Sequence, residues 1–184
     1  MGLQDSPDPQ TTFYNIGCFN RPTPNVPEYF TLRADSPGSD SKFLYRSAFD
    51  GDDGDDGNPA RTRGEAGNDG MFSLDHLGQL VNNDHIASVT TDGALYPGML
   101  LLPGPGYSTH GLDEPRQGFY CEIDGCTGAF SCTPADGSDG YFSDCAGSSD
   151  QNADTVFLNE GNEDAACKRV TLTAIETSAP ATSS

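Results

Sequence analysis

No window of this chain places apolar residues at helical spacing over three turns. They come instead in short clusters rich in β-branched and aromatic types, such as Tyr29-Phe30-Thr31-Leu32, divided by Gly, Pro, Asp and Ser. That pattern restricts the chain to short strands joined by turns. It also decides a question composition leaves open. With 34% hydrophobic residues, 22 Gly and 13 Pro in 184 residues, the chain could be disordered or turn-rich and folded. Clustered aromatics spread along most of its length favour the folded reading, as a single domain.

Residues 1–27 read as an extended N-terminal arm, polar at first and then carrying Phe13, Tyr14, Ile16 and Phe19 around Cys18, with Pro22, Pro24 and Pro27 behind them. A β domain is expected over 28–176, opening with strands at Tyr29–Ala34 and Lys42–Phe49 on either side of a Ser-Pro-Gly-Ser turn. Residues 50–70 read as a long acidic surface loop, because Asp50 to Gly57 contains only Asp and Gly and the continuation adds little beyond Ala60 and Ala66. Strand signals resume at Met71–Leu74, Leu80-Val81, His85–Thr91 and Ala94–Tyr96, the last two around an Asp92-Gly93 turn. They continue at Met99–Leu102, Gly118–Ile123, Ala129–Cys132, Gly140–Cys145, Asp154–Leu158 and Lys168–Ile175. The final segment has the cleanest alternation: Val170, Leu172 and Ala174 face one way, Thr171, Thr173 and Ile175 the other. About ten to twelve short strands fit a β-trefoil, a sandwich or a barrel. An aromatic-led strand recurs at Phe30, Phe72, Phe119 and Phe157, which leans toward the trefoil. Residues 177–184 read as a flexible, hydroxyl-rich tail suited to O-glycosylation.

Six cysteines, Cys18, Cys121, Cys126, Cys132, Cys145 and Cys167, fit up to three disulfides. No second close pair or His-x-x-x-His completes a zinc set with Cys121 and Cys126. The expected pairings are Cys121–Cys126 across the tight turn, and Cys132 or Cys145 to Cys167. Disulfides point to a secreted chain, and residues 1–7 read as a mature start with the leader removed. The longest apolar run, Met99–Leu102, is far too short to span a membrane as a helix. A formal charge of −19, from 9 basic and 28 acidic residues, excludes nucleic acid and anionic membrane surfaces as natural partners.

Catalytic signals are few. There are three histidines, His76, His85 and His110, no Gly-x-Ser-x-Gly elbow, and no phosphate or dinucleotide loop. Glu122, beside Phe119, Tyr120 and Ile123, is the acid best placed to have a raised pKa, and so the one candidate for a carboxylate-based hydrolase. The commoner case for such a residue is an outward-facing strand Glu. No cofactor is indicated. Asp50, Asp52, Asp53, Asp55 and Asp56 could hold calcium weakly, but their spacing matches neither the helix-loop-helix pattern nor the Gly-rich nonapeptide repeat. A solvated loop is the plainer reading. The absence of Trp and the presence of only 7 Tyr leave few aromatic platforms for sugar.

Four segments carry a resemblance: Tyr29 to Asp35, Phe72-Ser73-Leu74 with Leu80 and the Asp92–Tyr96 turn, Gly118 to Cys132 through Cys121, and Cys167 to Ala174. Together they resemble fungal secreted cell-wall proteins of the phialide cell-wall protein and IgE-binding-protein type. Phe119 stands where members of that group carry Trp, and the extra cysteines and acidic loop are further departures. The resemblance implies a β-rich, non-enzymatic cell-wall or apoplastic protein with a structural or host-interface role. A cell-wall polysaccharide or a protein would be its partner, and a carbohydrate-binding module is the alternative.

Overall fold

The computed structural model describes residues 26–47, 58–91, 98–102, 116–137, 140–146, 154–158 and 167–178. Within them the chain forms fourteen strands in chain order. These are β1 (Phe30–Asp35), β2 (Lys42–Arg46), β3 (Asn58–Arg63), β4 (Met71–Leu74), β5 (Leu80–Asn82), β6 (His85–Ile86) and β7 (Ser88–Thr90). They continue with β8 (Leu100–Leu102), β9 (Arg116–Gln117), β10 (Phe119–Ile123), β11 (Ala129–Pro134), β12 (Phe142–Cys145), β13 (Asp154–Leu158) and β14 (Cys167–Glu176). A short 3-10 turn at Asn68–Gly70 leads into β4.

Six strands close into an antiparallel barrel in the order β1-β2-β3-β13-β12-β14, with β14 returning to β1. Closure follows from strict alternation on the two strands that meet at the seam. Phe30, Leu32 and Ala34 of β1 are buried, as are Val170, Leu172 and Ala174 of β14, while the residues between them are half-buried or exposed. The seam pairs every residue of β1, from Phe30↔Glu176 to Asp35↔Thr171. Closure leaves no open edge on the ring itself.

Apolar packing seals one end. Phe30 lies 6.5 Å from Phe72 of β4 and 5.9 Å from Phe130 of β11, and Phe130 lies 6.0 Å from Phe142 of β12, measured between ring centroids. The β10–β11 hairpin thus hangs from β14 and covers the barrel with Phe119, Cys121, Ile123, Phe130 and Cys132, all buried. Each such Phe or Ile contributes about 1.5–3 kcal/mol by leaving water. A second hairpin system, β4-β5-β6, extends from β1. A small sheet of β8, β7 and β9 extends from β3.

The all-β, disulfide-stapled expectation holds, and the barrel is the form it takes. Three local readings need correction. First, residues 50–70 are not loop throughout, because 58–63 is β3, at the centre of the ring between β2 and β13. It buries Pro59, Ala60 and Thr62, none of them a large apolar residue, so its alternation against Arg61 and Arg63 gave little signal. Second, the segment 85–91 is two strands: Ala87 donates its N–H to Leu80, after which the chain leaves β5 for the small sheet. Third, the recurring aromatics do not mark equivalent positions. Phe30 and Phe157 lie on ring strands, whereas Phe72 and Phe119 lie outside the ring.

Candidate functional site

Two surfaces gather groups with chemical reach. One is the solvent face of the β10–β11 hairpin. Its turn is held by Asp124, whose Oδ1 accepts the N–H groups of Cys126 and Thr127, each at 2.8 Å. Those two backbone donors hold the Asp124 carboxyl below its ordinary value of 3.8. Gly128 completes the turn at φ +75°, where a side chain would be strained and its Cβ would meet the Ala174 carbonyl at 2.9 Å.

The disulfide Cys121–Cys132 joins directly opposed residues on the buried face. The outward set is therefore Tyr120, Glu122, Ala129, Ser131 and Thr133. Tyr120 is 55% exposed, opposite Thr133, with Glu122 opposite Ser131 one step along. The neighbouring turn 75–79 is fixed by Asp75 Oδ1, which accepts from the Leu77 and Gln79 N–H groups, and it docks on the hairpin through Cys121 N–H donating to Gly78 O at 2.7 Å. The face is thus held from beneath by a disulfide and by backbone hydrogen bonds.

The other surface is the rim of the barrel opposite the aromatic cluster. Lys42 of β2, Thr62 of β3, Asp144 of β12 and Asp154 of β13 share the inward parity of Leu44, Ala60, Phe142 and Val156, and they meet there. Lys42 Nζ pairs with Asp154 and reaches Asp144 at 3.4 Å, while Thr62 Oγ1 donates to Asp144 at 3.2 Å. Burial raises the Asp144 carboxyl above 3.8 despite the attraction of Lys42, and the charge of Asp154 adds to the rise. Partial burial works to lower the Lys42 amine, yet the two carboxylates together hold it above 10.5. The disulfide Cys145–Cys167 ties β12 to β14 at the same rim.

Outside that rim an open groove of about 510 Å³ is lined by Asp35, Ser36, Pro37, Arg169, Val170 and Thr171. Asp35 accepts from Ser41 Oγ and from Arg33 Nε, and both hold its carboxyl below 3.8, the serine bond foremost. Arg169 lies over the ring of Tyr141, its Cζ 4.8 Å from the centroid.

The Cys121–Cys126 pairing is overturned. Cys126 sits in the turn itself, and the hairpin register sets Cys132 against Cys121. Cys145 is the partner of Cys167. Cys126 is also disulfide-bonded, and Cys18 lies outside the described residues. Glu122 is exposed, and the apolar neighbours expected to surround it, Phe119 and Ile123, point to the opposite face. Asp50, Asp52, Asp53, Asp55 and Asp56 lie outside the described residues, as does His110. Among the described residues, no group of three His, Cys, Asp or Glu is placed to hold a metal.

No family model matches the chain, and no curated protein matches it. Among solved structures, it is similar to the Vibrio vulnificus hemolysin/cytolysin β-trefoil lectin with N-acetyl-D-lactosamine bound. That likeness has 16% identity and a TM-score of 0.44, over 84% of this chain and 100% of the lectin chain.

Proposed function

We propose that this protein is a secreted, non-catalytic binding module that holds carbohydrate on the solvent face of the β10–β11 hairpin. The observation that carries the reading is Tyr120, 55% exposed on a hairpin whose underside is disulfide-bonded and packed into the core. A flat aromatic ring offers its face to the C–H side of a pyranose. Glu122, Ser131 and Thr133, one strand step away, supply acceptors and donors for sugar hydroxyls. Rigidity matters because a weak, shallow site cannot also bear the cost of ordering its own loops.

The extracellular setting is supported by the disulfides, which persist in oxidising compartments. Among the described residues no helix is long and apolar enough to cross a membrane. Within that setting, the resemblance to fungal wall proteins supports the cell wall or apoplast as the location and wall polysaccharide as the first ligand to test. Fractionation of a native culture checks the location, and recovery from cytosol alone would reject it. A glycan array including wall polysaccharides, followed by calorimetry, checks the ligand. Tyr120→Ala should weaken binding roughly tenfold while leaving the melting temperature unchanged. An array without hits, or a variant that binds as well as the parent, would overturn the hairpin reading.

A further inference from the structure

Charge is distributed unevenly around the barrel rim. The chain carries a net −19, yet the groove beside β14 is lined by Arg169, and Lys168 reaches the turn that forms its other wall. The carboxylate among its described lining residues, Asp35, is already balanced by Arg33 at 2.9 Å. Lys168 is exposed and reaches the Ser39 hydroxyl at 3.4 Å. Arg169 is exposed, and among the described residues no carboxylate pairs with it. Its Cζ lies 4.8 Å from the centroid of the Tyr141 ring. A guanidinium binds a carboxylate best through paired in-plane N–H groups.

We infer that this groove is a second ligand site, separate from the hairpin, that takes a uronic-acid saccharide with its carboxylate on Arg169. A pyranose bearing a carboxylate has three kinds of surface, and the groove offers a counterpart to each. Arg169 meets the acid. The Ser36 and Thr171 hydroxyls and the Asp35 carboxylate meet ring hydroxyls. Pro37 meets the C–H face. The groove volume, about 510 Å³, lies within the range of roughly 300–1,000 Å³ typical of small-ligand sites. In a chain with a net charge of −19, an anionic ligand needs a local cation to dock, and Arg169 supplies it.

The test is calorimetry of the full chain with trigalacturonate and, in parallel, its neutral counterpart galactotriose. Trigalacturonate should bind, galactotriose should bind more weakly or not at all, and the difference should shrink as salt is raised. Arg169→Met should weaken trigalacturonate binding roughly tenfold or more, the worth of a charged hydrogen-bond pair. Tyr120→Ala should leave it unchanged. No binding of trigalacturonate, equal binding of the two saccharides, or indifference to Arg169→Met would each overturn the site. Loss through Tyr120→Ala alone would move the ligand to the hairpin and reject the groove. Conversely, loss through Arg169→Met alone would keep the groove whatever becomes of the hairpin reading.

Discussion

Asp144 is 9% exposed, with Thr62 and Lys42 as its hydrogen-bond partners, Asp154 beside them, and Lys168 opposite it in register on β14. Its raised carboxyl makes stability respond to pH in the opposite sense from a surface aspartate. Below 3.8 the group is protonated in both folded and unfolded chains. Between 3.8 and its higher folded value, the folded chain keeps a proton the unfolded chain has lost, so stability falls as pH rises across that window. Asp35 and Asp124, held below 3.8, work the other way: their contribution is complete above 3.8 and is lost as pH falls through their folded values. Urea melts across the acid range should therefore show greatest stability near the ordinary carboxylate value. Asp144→Asn, which keeps an acceptor for Thr62, should flatten the decline above it. An unchanged slope in that variant would show that other groups set the profile. A second residue-scale test is steric. A Cβ on Gly140 would lie 1.8 Å from the Cys132 carbonyl, so Gly140→Ala should cost about 1–3 kcal/mol by forcing β11 away, read as a lower denaturant midpoint.

Strands with large apolar residues at period two were legible from the sequence: β1, β10 and β14 lie within a residue or two of their expected spans. β3 was not legible, since its inward positions are Ala60 and Thr62 and its burial comes from neighbours far away in the chain. The sequence of the hairpin also encodes its outward face and its cross-link. Period two on β10 puts Tyr120 and Glu122 on one face, and an Asp124-centred turn ending at Gly128 fixes Cys121 against Cys132. The rim cluster was illegible for a different reason: Lys42 lies 102 residues from Asp144 and 112 from Asp154, and only ring closure brings them together. The two bridges should differ in worth. They close segments separated by 11 and 22 residues, and doubling a loop adds about 0.6 kcal/mol of closure entropy. Paired Ser substitutions should each cost about 2–4 kcal/mol, with loss of Cys145–Cys167 the larger. Equal melting losses would point to strain or residual structure in the unfolded chain.

For the whole molecule, −19 on a 19.4 kDa chain means sustained self-repulsion in the folded state. Raising ionic strength from very low to about 0.15 M shortens the screening length to about 8 Å, and the melting temperature should rise. A flat response would mean that the acidic groups are spaced beyond one another's reach in the fold. Charge of this sign was plain from composition, as was the all-β class. Neither could reveal the ring order, in which β13 stands between β3 and β12 out of chain sequence.

The seam between β1 and β14 also sets a schedule for folding. β14 pairs with β1, β11 and β12, so three separate parts of the molecule await the same ten residues, which are synthesised after all of them. Until then β1 lacks the partner that runs its full length, and the barrel stays open. Ring closure is thereby deferred until β14 has been made, and a nascent chain released short of Cys167 would be unable to close at all.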